Sequence, residues 1–200
     1  MYAFTEMTKL ESKQITFIAI MGALGNVLSF LTTQLVPLAP NIPLGPVSVS
    51  LALDISHLAT FIAALFGGPA IGGITGAVGG MVAAFEFGFS KGNLVTGIGL
   101  PLGKALTGYA AGLLFKRYEI DNVVKSAILT IIAYIPEGIL TLVLFRFLLP
   151  VVSGIPVNVS TLIGIQIVVK AVIEMAVLGF LLIGLITSSG FTDYVESYFR

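Results

Sequence analysis

The chain reads as an all-α integral membrane protein, a six-transmembrane-helix bundle, on three observations. Hydrophobic residues fill 56% of its 200 positions and charged residues only 10%, with a mean hydropathy of +1.05. A soluble domain of that balance has too little polar surface to cover itself. The apolar residues fall into six runs, each near the roughly 20 residues a helix needs to cross the hydrocarbon core. The third run places Gly68, Gly72, Gly76, Gly80 and Ala84 at every fourth position. On a helix that spacing draws one nearly bare stripe. Helices in lipid gain nothing by hiding Leu from more hydrocarbon and associate through close packing of such small residues.

The spans run over 15–36, 49–66, 68–87, 94–115, 124–149 and 159–186, one membrane domain covering 1–200. The first follows a polar N-terminal stretch, and no small-residue cleavage site comes after it, so it reads as a retained span. Gly67-Gly68-Pro69 separates the second and third. It is a tight turn with Pro at the first helical position, so these spans form a hairpin. Pro101 should kink the fourth span one turn above Lys104. Arg146 stands near the outer end of the fifth, on the face opposite Glu137, and snorkels to the interface.

Orientation follows from the basic residues. Lys9 and Lys13 precede span one, Lys116, Arg117 and Lys125 surround the loop after span four, and Arg200 ends the chain. With six spans these share one side, the cytoplasm, which also takes both termini. The opposite loops hold Lys91 and the neighbourhood of Arg146. There is no Trp, so an aromatic belt must come from Tyr and Phe. The first outer loop carries Pro37, Pro40, Pro43 and Pro46 around Asn41. Proline at every third position matches polyproline II, which predicts an extended, stiff loop. It is either a rigid connector or a preformed lid over an outward-facing pocket. In the second outer loop Phe85, Phe87 and Phe89 flank Glu86, with Lys91 and Asn93 following.

Asp54, His57, Lys104, Glu137, Lys170 and Glu174 lie within predicted spans. Each is costly there and needs a partner or water. Periodicity gives four helices one polar stripe each: Ser50, Asp54 and His57; Thr96, Lys104 and Thr107; Tyr134, Glu137 and Thr141; and the four-residue ladder Gln166, Lys170 and Glu174. Lys104, Glu137 and Lys170 reach similar depth, with Asp54 and His57 shallower. The expected result is a funnel, open outward and polar at its floor. Its candidate binding residues are Asp54, His57, Glu86, Asn93, Lys104, Glu137, Gln166, Lys170 and Glu174. The plainer alternative makes Lys104–Glu137 and Lys170–Glu174 structural ion pairs, although buried pairs rarely stabilise more than apolar packing does.

Several classes are excluded. There is no Cys, hence no disulfide, thiolate metal site or thiol catalysis. Net charge is zero, and nothing suggests nucleic-acid binding. No catalytic motif, metal-ligand set or cofactor fingerprint is present. The Gly103-Lys104 segment is no phosphate loop: Ala105 stands where Ser or Thr is needed, and the segment lies inside a span. Uphill transport would therefore draw on a partner or an ion gradient. Asn158-Val159-Ser160 is a formal glycosylation sequon on the outer side.

Leu53-Asp54-Ile55-Ser56-His57-Leu58 followed by Phe66-Gly67-Gly68-Pro69-Ala70-Ile71-Gly72-Gly73 resembles the second and third spans of the substrate-binding (S) components of energy-coupling factor (ECF) transporters. Span one, with Ala19-Ile20-Met21-Gly22-Ala23, is similar to their Ala-x-x-x-Ala motif. The resemblance implies an outer site for a vitamin-like solute built from the first loop and spans four to six. It implies docking through Ala19, Gly22 and Ala23 on a transmembrane coupling subunit, and a pair of ATPase subunits as further partners. Riboflavin-type members tend to carry an acidic residue and a proline where His57 and Ala59 stand, so the lysines and glutamates here suit a small zwitterionic or anionic vitamin at least as well. A stand-alone secondary transporter or channel using the Lys/Glu ladder, and a membrane enzyme acting on lipid, are the competing readings. The first needs access from both sides, and the second lacks a nucleophile or metal constellation.

Overall fold

The computed structural model describes residues 10–44, 47–50 and 52–199. Helix α1 (Ser12–Leu35) leads into an antiparallel hairpin of β1 (Asn41–Leu44) and β2 (Val47–Ser50), with Asn41 opposite Ser50 and Leu44 opposite Val47. Helices α2 (His57–Gly79) and α3 (Met81–Phe87), a 3-10 turn at Phe89–Lys91 and α4 (Leu94–Arg117) follow. Next come α5 (Val123–Val143), a π-helical turn at Leu144–Leu148, α6 (Leu149–Ser153), α7 (Val157–Ile186) and α8 (Ser189–Phe199). Among the described residues, five helical stretches are long and apolar enough to cross a membrane: Ser12–Leu35, His57–Lys91, Leu94–Arg117, Val123–Ser153 and Val157–Ile186.

The second of these is not one rod. Gly68 has φ 78 and ψ −169, a region open essentially to glycine alone. A Cβ built on Gly72 would lie 2.7 Å from the Ala64 Cβ. Residues eight apart on a straight helix stand about 12 Å apart. The chain therefore reverses at Gly67-Gly68-Pro69, and the arms 57–67 and 69–79 lie side by side as the sequence predicts.

The glycine stripe has a clear use. Gly72 sits between Ala64 and the Gly108 carbonyl of α4, which a Cβ would meet at 2.6 Å. Gly76 lies against the Lys104 carbonyl, and a Cβ on Gly80 would come within 2.9 Å of the Pro101 Cα. Gly68 departs from the stripe, because it makes the turn and a Cβ there would touch nothing. On the other side of α2, Gly22 of α1 faces Val78 and Gly25 faces the Gly79 Cα. Asn26 completes this contact across the break between α2 and α3: Nδ2 donates to the Val78 carbonyl at 2.8 Å, and Oδ1 accepts from the Val82 N–H at 2.9 Å. The α5–α7 pair adds to a glycine contact, Gly179 against the Ala127 backbone, hydroxyls that donate to carbonyls. Ser126 reaches Gly179 at 2.7 Å, Thr130 reaches Met175 at 2.8 Å, and Ser160 reaches Phe145 inside the π turn. That last bond takes a carbonyl from the helical ladder where the helix widens, a feature the sequence reading lacks.

Two expectations are corrected. The stretch 49–66 is not a helix throughout, since β2 and extended chain occupy its outer part and the helix begins at His57. The arm 57–67 rises about 16 Å, roughly half the hydrocarbon core. The proline loop is not polyproline II: Pro43 lies in β1 opposite Ser48, Pro37 lies in a turn after α1, and Pro46 falls outside the described residues. Polyproline II leaves every backbone group unpaired, whereas Val47-Ser48-Val49-Ser50 alternates with the period of a strand and offers a partner. Pro101 lies inside α4, which is assigned helix from Leu94 to Arg117.

Helix α8 lies beyond the expected spans. Its Phe191 ring meets Phe66 at 6.1 Å, Val195 is buried, and the Tyr198 hydroxyl donates to the Lys13 carbonyl at 3.1 Å. The spacing of Phe191, Val195 and Tyr198 is helical and was legible.

Gly76→Leu tests the packing. The new side chain must displace the Lys104 backbone, an overpacking cost of about 1–3 kcal/mol or more. The variant is expected to melt at a clearly lower temperature in detergent, and an unchanged melting point would show that the α2–α4 contact does not hold the bundle.

Candidate functional site

Helix α2 begins only at His57, and its first arm covers roughly half a hydrocarbon core, which puts the unwound chain before it at membrane depth. Irregular backbone is tolerated at such depth only where protein satisfies its polar groups or a cavity is lined. Here the protein does so. Thr32 of α1 donates to the Leu53 carbonyl at 3.4 Å, and the Asp54 backbone N–H donates to Glu174 Oε1 of α7 at 2.7 Å. Asp54 Oδ1 accepts from the Ser56 N–H at 2.9 Å.

Two groups of charged side chains meet this segment. In one, Lys104 Nζ of α4 donates to Ser56 Oγ and stands 3.7 Å from Asp54 Oδ2, while Lys170 Nζ pairs with Glu174 Oε1 at 3.3 Å. In the other, His57 Nε2 lies 3.1 Å from Glu137 Oε2 of α5, which also accepts from Thr107 Oγ1 at 2.6 Å. Glu137 fits because Gly103 lacks a side chain: a Cβ there would come within 2.8 Å of the Glu137 Cγ. The Phe61 and Tyr134 rings flank His57, with centroids 6.3 and 6.4 Å away. Lys104, His57, Glu137 and Glu174 are buried, whereas the side chains of Asp54 and Lys170 keep 25% and 22% exposure. The last two therefore form the mouth and the others the floor. His57 Nδ1 is buried with no hydrogen-bond partner among the described residues.

This is a polar core fed by four elements of a membrane bundle. Its chemistry is that of charge pairing and hydrogen bonding, with no nucleophile activated by a base. A family model described as ECF transporter, substrate-specific component, matches residues 13–186.

The chain belongs to that family.

A search of curated proteins finds no match. As an S component the chain is the substrate-specific subunit of a transporter and not an enzyme, and it is a multi-pass membrane protein. Membership implies partnership with the ECF transmembrane and ATPase modules and a small-molecule substrate.

The structure sorts the expected site residues of this S component. It brings together Asp54, His57, Lys104, Glu137, Lys170 and Glu174. The Lys170–Glu174 pair forms, but Lys104 turns to Asp54 and Ser56 instead of Glu137, which turns to His57 and Thr107. Asp54 and His57 are not shallower than Lys104 and Glu137. Extended chain advances about 3.3 Å per residue against 1.5 Å in a helix, so the unwound segment reaches the floor. Gln166 is partly buried one turn from Lys170 on α7. Asn93 instead caps α4, accepting from the Val95 and Thr96 N–H groups at 3.1 and 3.2 Å, about 16 Å along the helix from Lys104. Glu86 lies partly buried in α3, its carbonyl taken by Ser90. Ser56 was missed; it lies between two charged positions, and only the unwinding turns it inward.

On α1, Ala19 and Ala23 are exposed one turn apart among outward Ile15, Ile20, Leu24 and Val27. Gly22 does not share that face, because it is buried against Val78. Two open apolar grooves on the bundle exterior, of about 530 and 490 Å³, include no charged residue in their linings.

Lys104→Met tests the Asp54 contact. Removing one member of a buried pair typically costs about 3–5 kcal/mol, less where a partner keeps some exposure. The variant is expected to melt well below wild type, and adding Asp54→Asn should recover part of the loss. Strictly additive losses in the double-mutant cycle would show that the two side chains do not interact.

Proposed function

We propose that this S component captures a small polar, vitamin-like solute from the outer side at the Asp54–His57–Lys104–Glu137–Lys170–Glu174 cluster. It hands the solute inward when docked on the coupling subunit and its pair of ATPases. One observation carries this reading: six ionisable side chains from four elements converge inside an apolar bundle, with a mouth at Asp54 and Lys170 and a buried ring nitrogen, His57 Nδ1, without a partner among the described residues. Intramembrane ionisable groups mark substrate sites, and a buried unpaired polar atom asks for a partner. The basic residues support cytoplasmic termini, and the reversal at Gly68 supports six passes in one membrane domain. The hairpin, whose β2 packs beside α7, supports the reading of the first loop as an outer lid. A proton or ion relay is poorly served, because no acid, base or histidine separates Glu174 from Asp193.

The site is tested with the solute that co-purifies with the protein, identified by mass spectrometry. Lys170→Met should weaken its binding by roughly ten- to a hundredfold, the value of a charge-assisted hydrogen bond of about 1.5–3 kcal/mol. The variant should lose most of the solute-induced rise in melting temperature, on top of a lower solute-free melting point from stranding the buried Glu174. A much lower solute-free melting point with the full rise retained would make these charges scaffold.

Docking is tested on α1. Small exposed residues one turn apart let a partner helix approach closely. The double variant Ala19→Trp, Ala23→Trp is expected to lose the coupling subunit in a pull-down while keeping its solute. Retained complex would place the docking surface elsewhere.

A further inference from the structure

Helix α8 takes no part in the polar cluster, and it lies beyond Ile186, where the family match ends. Phe191, Val195 and Tyr198 fall at i, i+4 and i+7, one face of a helix. That face is turned into the bundle. The Phe191 ring meets Phe66, one residue before the α2 reversal, and Val195 is buried. The Tyr198 ring lies 6.1 Å from that of Phe17 on α1, and its hydroxyl donates to the Lys13 carbonyl at 3.1 Å. The start of α8 is tied to the end of α7, because Thr192 Oγ1 donates to the Ile186 carbonyl at 3.0 Å. Asp193, Tyr194 and Ser197 are exposed on the opposite face.

Helix α1 is held unevenly along its length. From Gly22 onward it rests on α2, is clasped through Asn26 and bonds from Thr32 to the Leu53 carbonyl. Its first turns are different. Ser12, Lys13, Ile15 and Thr16 are exposed, and Phe17 and Ile18 are the first buried residues of the helix. A helix end held by few contacts frays. Tyr198 grips this end at two places, the Lys13 carbonyl and the Phe17 ring. Ala19 follows Lys13 by only about 9 Å of helix. Packing of small residues at backbone distance is sensitive to position: a gap of about 0.5–1 Å forfeits a quarter to a half of the attraction. A loosened first turn would therefore harm a contact made at Ala19 and Ala23 without disturbing the α2–α4 packing.

Resting on the reading of Ala19 and Ala23 as the docking face, we propose that α8 is a strap that fixes the first turns of α1 for docking on the coupling subunit, with Tyr198 as its positioning residue.

The full chain and its variants are titrated in detergent with the coupling subunit bound to its ATPase pair, and amide exchange is followed along α1. A docking face in place only part of the time raises the apparent dissociation constant by the inverse of that fraction. The inward double variant Phe191→Ala, Tyr198→Ala is expected to raise it about tenfold or more, with faster exchange over residues 12–18 and unchanged exchange in α4 and α5. Tyr198→Phe keeps the ring on Phe17 and loses one hydrogen bond, so its rise should be smaller, about two- to tenfold. The outward triple variant Asp193→Asn, Tyr194→Ala, Ser197→Ala should dock as wild type does. An inward double variant that docks normally overturns the proposal, whether or not exchange in α1 quickens. Equal weakening by the outward variant also overturns it, by making α8 a contact surface. Where the double variant fails to fold, Tyr198→Phe decides alone, and an unchanged dissociation constant sinks the strap. The docking reading is checked separately by Ala19→Trp, Ala23→Trp. Should that variant keep the complex, docking face and strap fall together; should it lose the complex while the inward variant keeps it, only the strap falls.

Discussion

The Asp54 N–H donates to Glu174 Oε1 at 2.7 Å, and much of the molecule is arranged around the circumstance that makes this bond necessary. A chain that unwinds inside hydrocarbon exposes peptide groups that no water can satisfy. The segment before His57 solves this with side chains from α1 and α7 and with its own Asp54 and Ser56. Those side chains are charged or polar, so they bring in further charges to pair with them. Lys104 and Lys170 follow from that requirement as much as from any solute. The unwinding thus creates a polar interior and also fixes which helices must contribute to it.

Two kinds of contact hold the helices together. Helices α1, α2 and α4 meet through glycine, with Cα and carbonyl atoms in near contact. Helices α5 and α7 also meet at a glycine, Gly179 against the Ala127 backbone, and add hydroxyl-to-carbonyl bonds. Dispersion at backbone distance is lost quickly with small displacements, whereas a hydroxyl rotor can follow a carbonyl over some movement. The charged cluster sits on the seam. Asp54 reaches across to Glu174, and His57 and Thr107 reach across to Glu137.

What the sequence disclosed is local in origin. The glycine spacing, the Gly67-Gly68-Pro69 turn and the Lys170–Glu174 ladder are repeats over a few residues, and periodicity reads such patterns directly. Membership of the family was likewise carried by short stretches around Asp54 and Gly68. Partner choice was not legible. His57 and Glu137 are 80 positions apart and Asp54 and Glu174 are 120, and a polar stripe says which way a residue faces but not what it meets. Depth failed for a related reason. Hydropathy over 49–66 does not distinguish helix from strand, so a rise per residue taken from helices put Asp54 and His57 too high. Asn93 looked like a site residue because it is polar beside a span, yet capping explains it fully. Asn26 showed no signal at all, since its role depends on a helix break 54 residues further on.

The clasp that Asn26 makes has a mechanical consequence. It grips the chain on both sides of the α2–α3 break, at Val78 and Val82, while Gly76, half a turn before Val78, rests on the Lys104 carbonyl. Sliding α1 past α2 would tear two hydrogen bonds, and sliding α2 past α4 would drive backbone into backbone. The first four helices therefore form a single stiff lever. From the outward side of α1 to the Lys104 carbonyl there is one intervening layer of chain, and the contacts on both of its faces are made at glycines. Articulation is left to the parts outside that lever: the strand hairpin, the unwound segment, and the hydroxyl-linked pair on the far side of the seam.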